Sequence, residues 1–115
     1  VLNNYSYFLS LRKEKLDLAL KMSSKLVKRN PDNPTFLDTH AWVLYMNKNY
    51  KEAKFYIEKA VNSGKASGTI IEHYGDILFK LGEVDSAVKQ WQIAKGMDEK
   101  SDLIDKKIAD RKLYE

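Results

Sequence analysis

No cysteine occurs in these 115 residues, which excludes disulfides, zinc–thiolate sites and cysteine nucleophiles. Proline appears twice and glycine five times, too sparsely for a low-complexity chain or a long linker. No apolar run approaches the roughly 20 residues that a membrane-spanning helix needs. The start, Val1-Leu2-Asn3-Asn4, has neither the charged leader nor the cleavage site of a signal peptide. HExxH, GxSxG and glycine-rich phosphate loops are all missing. Neither sign of charge dominates: 20 Lys and Arg face 16 Asp and Glu, a formal net charge of +4. The excess is local. Residues 1–34 carry seven Lys/Arg against three Asp/Glu, and residues 69–115 carry eight against ten.

What is present is helical spacing of apolar residues almost throughout, with no strand-like alternation. The pattern predicts helices at about 2–12, 16–29, 35–47, 50–63, 69–81, 84–96 and 101–113. Asn30-Pro31-Asp32-Asn33-Pro34 stops one helix and starts the next, because proline cannot continue a helix but suits its first turn. Asn47-Lys48-Asn49 and Gly82 break two hairpins, while Gly64 to Gly68 and Lys95-Gly96 supply later stops. The expectation there is glycine in the left-handed cap conformation.

The pattern repeats every 34 residues. Ala53 recurs as Ala87, Ala41 as Gly75, Ala60 as Ala94, Leu44 as Leu78 and Tyr45 as Phe79, while Ala19 and Val27 precede Ala53 and Val61 by the same interval. Three stretches follow one template: Ile71-x2-Tyr74-Gly75-x2-Leu78 with Ala87-x3-Trp91; Leu37-x2-His40-Ala41-x2-Leu44 with Ala53-x3-Ile57; and Leu2-x2-Tyr5-Ser6-x2-Leu9 with Ala19-x3-Ser23, ending at Pro31. This resembles the tetratricopeptide repeat over residues 2 to about 97, closely at the small positions and loosely at the aromatic ones. The resemblance implies an all-α, right-handed superhelical solenoid of three helical hairpins plus a C-terminal capping helix. The repeats fall at about 1–33, 34–67 and 68–100, with the cap at about 101–113.

Packing explains the small residues. Paired helices approach closely only where Gly, Ala or Ser leaves room, so Ser6, Ala41 and Gly75 serve the first helix of each hairpin, and Ala19, Ala53 and Ala87 the second. Leu9, Leu44, Leu78, Ile57 and Trp91 fill the space between hairpins. The template is broken at Ser23, where an aromatic is usual, by one extra residue around Arg12 to Lys15, and by Lys65 and Glu99 in place of closing prolines. In the last helix Leu103, Ile104 and Ile108 make an apolar stripe, with Asp102, Asp105, Lys106, Asp110, Arg111 and Lys112 on the wet side. A polar-faced terminal unit is what an open solenoid requires. No such cap precedes Val1, so the chain is expected to be the C-terminal part of a longer protein.

The resemblance also implies that the first helix of each hairpin lines a concave groove. The expected peptide-binding residues are Asn3, Asn4 and Tyr7; Asp38, Thr39, Trp42, Tyr45 and Met46; and Glu72, His73, Asp76, Phe79 and Lys80. Ser10 and Leu11 share that face. Aromatic rings give such a groove contact area and polar groups fix register. Asn3 and Asn4 echo the clamp some such grooves use for a terminal carboxylate, but Asp38, Glu72 and Asp76 repel one, so the face favours a neutral or basic segment. His73 with Glu72 and Asp76 is the cluster most like a metal or catalytic group, yet His73 and Asp76 share one helical face, a metal site wants three or more converging ligands, and His40 lies a full hairpin away. Lys21, Lys25, Lys28 and Arg29 form a basic stripe without interleaved aromatics, the pattern of a solvated outer face rather than a nucleic-acid surface. Asn4-Tyr5-Ser6 fits the glycosylation pattern, weakly for a predicted helix.

The expected function is a non-catalytic scaffold that binds a peptide segment of a partner protein, with no cofactor, no metal, no nucleic acid and no membrane insertion. Self-association through the uncapped N-terminal end and a regulatory appendage of an enzyme encoded upstream are the alternatives. The phrasing of Leu37 to Tyr45 and of Glu72 to Asp76 is most similar to bacterial proteins of this class, which points to a cell envelope or the cytoplasm.

Overall fold

The computed structural model describes residues 16–97 and 100–113. Within them lie six helices: α1 (Leu16–Arg29), α2 (Pro34–Met46), α3 (Tyr50–Asn62), α4 (Gly68–Lys80), α5 (Val84–Lys95) and α6 (Ile104–Asp110), and the described residues contain no strand. The expected helix at 2–12 and the irregular turn at Arg12 to Lys15 lie outside them.

The starts of α2 and α4 have a local cause. Asn33 Oδ1 accepts the Phe36 N–H at 3.1 Å, and Pro34 occupies the first turn of α2. Ser67 Oγ accepts from Ile70 N–H at 3.3 Å at the head of α4. Gly82 breaks the α4–α5 hairpin with φ 85°, and Gly64 follows α3 with φ 77°. At the phase of Gly82, the α2–α3 hairpin has Lys48 with φ 64°, a left-handed conformation that a side chain adopts at a cost. One expectation is corrected. Gly96 keeps φ at −77°, because the chain leaves α5 through a tightened turn in which Gly96 and Met97 donate to Ile93 and Ala94 carbonyls, and that turn needs no left-handed residue.

Consecutive helices pack against one another. In addition α2 touches α4 directly, which leaves α1, α3 and α5 on the other side. The small residues sit at the closest approaches: Ala19, Ala41, Ala53, Ala60, Ala87 and Ala94 are all fully buried. At Gly75 a Cβ would lie 2.5 Å from both Cδ1 and Nε1 of Trp91, so the backbone itself is the floor under that indole. Ser23, the departure from the template, is also fully buried. Its hydroxyl lies 2.7 Å from His40 Nδ1, and the imidazole stands edge-on to Tyr56 at 4.5 Å. A histidine from the next helix thus fills the volume an aromatic at Ser23 would take. Burial holds the His40 pKa down at about 4.

The last helix is shorter than its pattern. Residues 101–103 form a turn, and Leu103, assigned to the apolar stripe, is 40% exposed, while Ile104 is buried and Ile108 half-buried.

Candidate protein-binding face

The side chains of α2 and α4 meet across the joint between two hairpins. Asp38 Oδ1 and His73 Nδ1 are 2.8 Å apart. Trp42, one turn on, is sandwiched. Its ring stacks on Tyr45 at 4.5 Å and 9°, and on His73 at 4.1 Å and 23°. Tyr45 meets Tyr50 edge-on at 5.6 Å. The stack joins two hairpins, because Trp42 and Tyr45 belong to α2 and His73 to α4. The Trp42 Nε1–H is buried and finds no acceptor, whereas the indole of Trp91 donates to Asp76 Oδ1 at 3.0 Å. His73 loses basicity to burial and regains more from the Asp38 carboxylate, with help from Asp76 and Glu72, so its pKa stands above the usual value.

The same joint recurs one repeat later with different chemistry. Lys107 of α6, only 4% exposed, places Nζ 2.6 Å from Glu72 Oε2 and 3.0 Å from Asp76 Oδ1, and 5.9 Å from the Trp91 ring centroid. Ser101 donates its N–H to Glu72 Oε1 at 2.8 Å and its hydroxyl to the other oxygen. Burial alone would raise the Glu72 pKa, but the Lys107 and Ser101 hydrogen bonds outweigh it and leave the carboxyl below its usual value. At Asp76 burial wins over Lys107 and His73, and the pKa is raised to about 6.

The structure therefore corrects the expected exposure of the acidic groups. Glu72 and Asp76 are not free carboxylates in an open groove; α6 covers them and supplies the neutralising cation. A buried carboxylate without such a partner would be untenable. Thr39 is buried as well, its hydroxyl returned to the Thr35 carbonyl at 3.0 Å, and Tyr45 is buried against its neighbours. Asp38, Trp42, Met46, His73 and Phe79 are half-buried and Lys80 is exposed. Asn3, Asn4 and Tyr7, with Ser10 and Leu11, lie outside the described residues. The Glu72, His73, Asp76 cluster is bound up in Lys107, Ser101, Trp91 and Asp38, and no metal-sized group of ligands occurs among the described residues. Sequence reasoning missed Lys107 and Ser101. The available signal was phase: Lys107 follows His73 by one 34-residue period.

Residues 12–92 match a family profile described as anaphase-promoting complex, cyclosome, subunit 3, a repeat family of tetratricopeptide type. The chain belongs to this tetratricopeptide-repeat family. Among solved structures the repeats are similar to YrrB, described as a tetratricopeptide-repeat protein with an unusual peptide-binding site, at 28% identity and a TM-score of 0.71 over 84% of this chain and 50% of that one. The C-terminal part of a tetratricopeptide-repeat protein from Cytophaga hutchinsonii matches at 27% identity and a TM-score of 0.68, over 84% of this chain and 38% of that one. The first such domain of human RPAP3 shares the fold at a TM-score of 0.84 and 17% identity, over 96% of this chain and 87% of that one. The chain thus spans about half of YrrB. No curated protein matches it. The all-helical tetratricopeptide architecture is that of a protein–protein interaction scaffold.

Proposed function

We propose that the chain is a non-catalytic scaffold that binds a peptide segment of a partner protein along α2 and α4, anchored on Trp42. The observation that carries this reading is the ring stack Tyr45–Trp42–His73 bridging two hairpins, with a buried indole N–H that lacks an acceptor. An unmet buried donor costs about 1–3 kcal/mol, which a backbone carbonyl of a bound segment would recover when docking turns the half-buried ring toward it. Met46, Phe79 and Lys80 extend the face, and Asn3, Asn4 and Tyr7 would continue it onto the first hairpin. Glu72 and Asp76 share the single Lys107 cation and Asp38 is paired with His73, so the three acids retain a modest excess of negative charge. The segment is therefore neutral or mildly basic. YrrB, with its own peptide-binding site, is the relative that supports a peptide ligand.

Peptides selected on the immobilised chain from a random-sequence display library test the proposal. Trp42→Ala is expected to weaken the selected peptides at least about tenfold, as truncated aromatic anchors do, with the helical circular dichroism retained. Trp42→Phe, which keeps an aromatic ring but removes the N–H together with part of the ring area, is expected to lose a smaller factor than Trp42→Ala. Peptides that bind Trp42→Ala and wild type equally place the binding elsewhere.

A further inference from the structure

We infer that the outer face built by α1, α3 and α5 is a second docking surface, whose occupant is an anionic lipid surface. The 34-residue phase places Lys21, Phe55 and Lys89 at one position of the three helices, and Lys25, Lys59 and Ile93 one turn further on. All six are exposed. Phe55 is 59% exposed and Ile93 51%, and Leu18 of α1 is exposed as well, so each of the three outer helices carries one large apolar side chain to the surface. Phe55 leans edge-on against Tyr56 at 5.1 Å and carries Lys59 Nζ 5.9 Å from its ring centroid, so ring and ammonium form one unit.

The face is cationic as well as apolar. Lys21, Lys25 and Lys89 have no ion-pair partner among the described residues. Asp17 and Glu52 are the free carboxylates on the same helices, since Glu58 accepts from Tyr74 and Asp85 is taken by Arg111. The sequence reading found the lysines of α1 and no aromatic beside them. The aromatic sits on the next outer helix, one whole repeat away, and only the fold brings it into the row.

Three features select lipid over other polyanions. The apolar members are one phenyl ring and an aliphatic chain, whereas single-stranded nucleic acid needs successive stacking rings. They stand singly among lysines and share no groove, whereas a protein segment needs a shaped apolar seat. Lysines with isolated apolar side chains suit a fluid interface, where the cations meet lipid phosphates and the apolar side chains enter the headgroup–acyl boundary. No described helix can cross a bilayer, so the attachment is peripheral. Phe55 lies on the middle helix of the three and makes the first contact.

This inference is independent of the peptide face. Flotation of the full chain with vesicles of phosphatidylcholine containing about 30% phosphatidylglycerol, at low and near-physiological salt, tests it. Wild type is expected to float with these vesicles and not with phosphatidylcholine alone. Each cation near an anionic membrane contributes roughly fivefold in affinity, so the triple variant Lys21→Glu, Lys25→Glu, Lys59→Glu is expected to lose at least about a hundredfold. Phe55→Ser is expected to lose about tenfold at unchanged helical content, and Trp42→Ala to float as wild type does. These substitutions are on exposed positions, and circular dichroism checks that they fold. Failure of wild type to float at low salt, or equal flotation of the triple variant, overturns the proposal. So does lysine-dependent capture of poly(U) without flotation, which would make the face a nucleic-acid surface.

Discussion

Lys107 follows Glu72 by 35 residues and meets its carboxylate at 2.6 Å, the same offset at which His73 meets Asp38 at 2.8 Å. The closing helix therefore occupies the place of the first helix of a further repeat, and the joint between hairpins is an acid on one unit held by a base on the next.

Lys107→Ala leaves Glu72 and Asp76 buried without their cation. Breaking a buried ion pair on one side costs about 3–5 kcal/mol, and urea unfolding of the variant should show a loss of that order. The triple variant Lys107→Met, Glu72→Gln, Asp76→Asn should recover much of it, since the uncompensated charge is gone. Equal stability of Lys107→Ala and wild type would mean that α6 does not hold its place through this contact.

His40 gives stability a definite pH dependence. Its folded pKa is about 4 against an ordinary 6.5, so between those values the unfolded chain binds a proton that the folded chain refuses. Acid therefore favours unfolding, and the contribution present above pH 6.5 is lost as pH falls toward 4. The stability at stake is at most about 3 kcal/mol, less what solvent screening removes. Asp76, raised to about 6, works in the opposite direction: between its ordinary value and 6 the folded chain binds the proton more tightly, and stability falls as pH rises. Comparing wild type with His40→Gln isolates the histidine. The stability difference should shrink by a few kcal/mol from pH 7 to pH 4, and a pH-independent difference would count against it.

Gly75→Ala should destabilise by about 1–3 kcal/mol, because the added methyl meets the Trp91 indole at 2.5 Å and Trp91 is fully enclosed. Lys51→Ala, on the exposed side of α3, should stay within about 0.5 kcal/mol. Thermal melts of equal midpoint would show that Trp91 can move aside.

Lys48→Gly should stabilise by up to about 1 kcal/mol. Lys48 holds the left-handed φ of 64° that Gly82 adopts at the same phase, and glycine adopts it without the side-chain penalty. A lower melting temperature for the variant would indicate that the Lys48 side chain contributes more than its backbone costs.

The parts of this molecule legible in the sequence are those with narrow steric tolerance. Ala41, Ala53, Gly75 and Ala87 repeat in phase because a larger side chain at any of them would push helices apart, and the hairpins follow. The inner helices were legible for the same reason, which put Trp42, His73 and Asp38 on one face. What stayed hidden depends on a partner from elsewhere in the chain. Glu72 and Asp76 read as exposed acids because nothing in their own helix neutralises them; the neutralising Lys107 sits beside Asp105, Lys106 and Asp110 of α6 and differs from them only in phase. Phe55 reads as an ordinary apolar member of α3, and only the burial of Ala53, Ile57 and Ala60 beside it shows that it is turned outward.

The two joints have different bases, histidine in one and lysine in the other, so the couplings are keyed. A unit ending in Asp38 and Trp42 presents a flat ring to its successor, which answers with the stacking imidazole of His73. A unit ending in Glu72 and Asp76 presents two carboxylates, and its successor answers with a single ammonium. Exchanging the two bases would keep a base against an acid at each joint but lose the ring stack at the first, because an ammonium has no flat face to lay on Trp42. The first joint is thus selective by shape, a flat ring laid on a flat ring, and the second by charge.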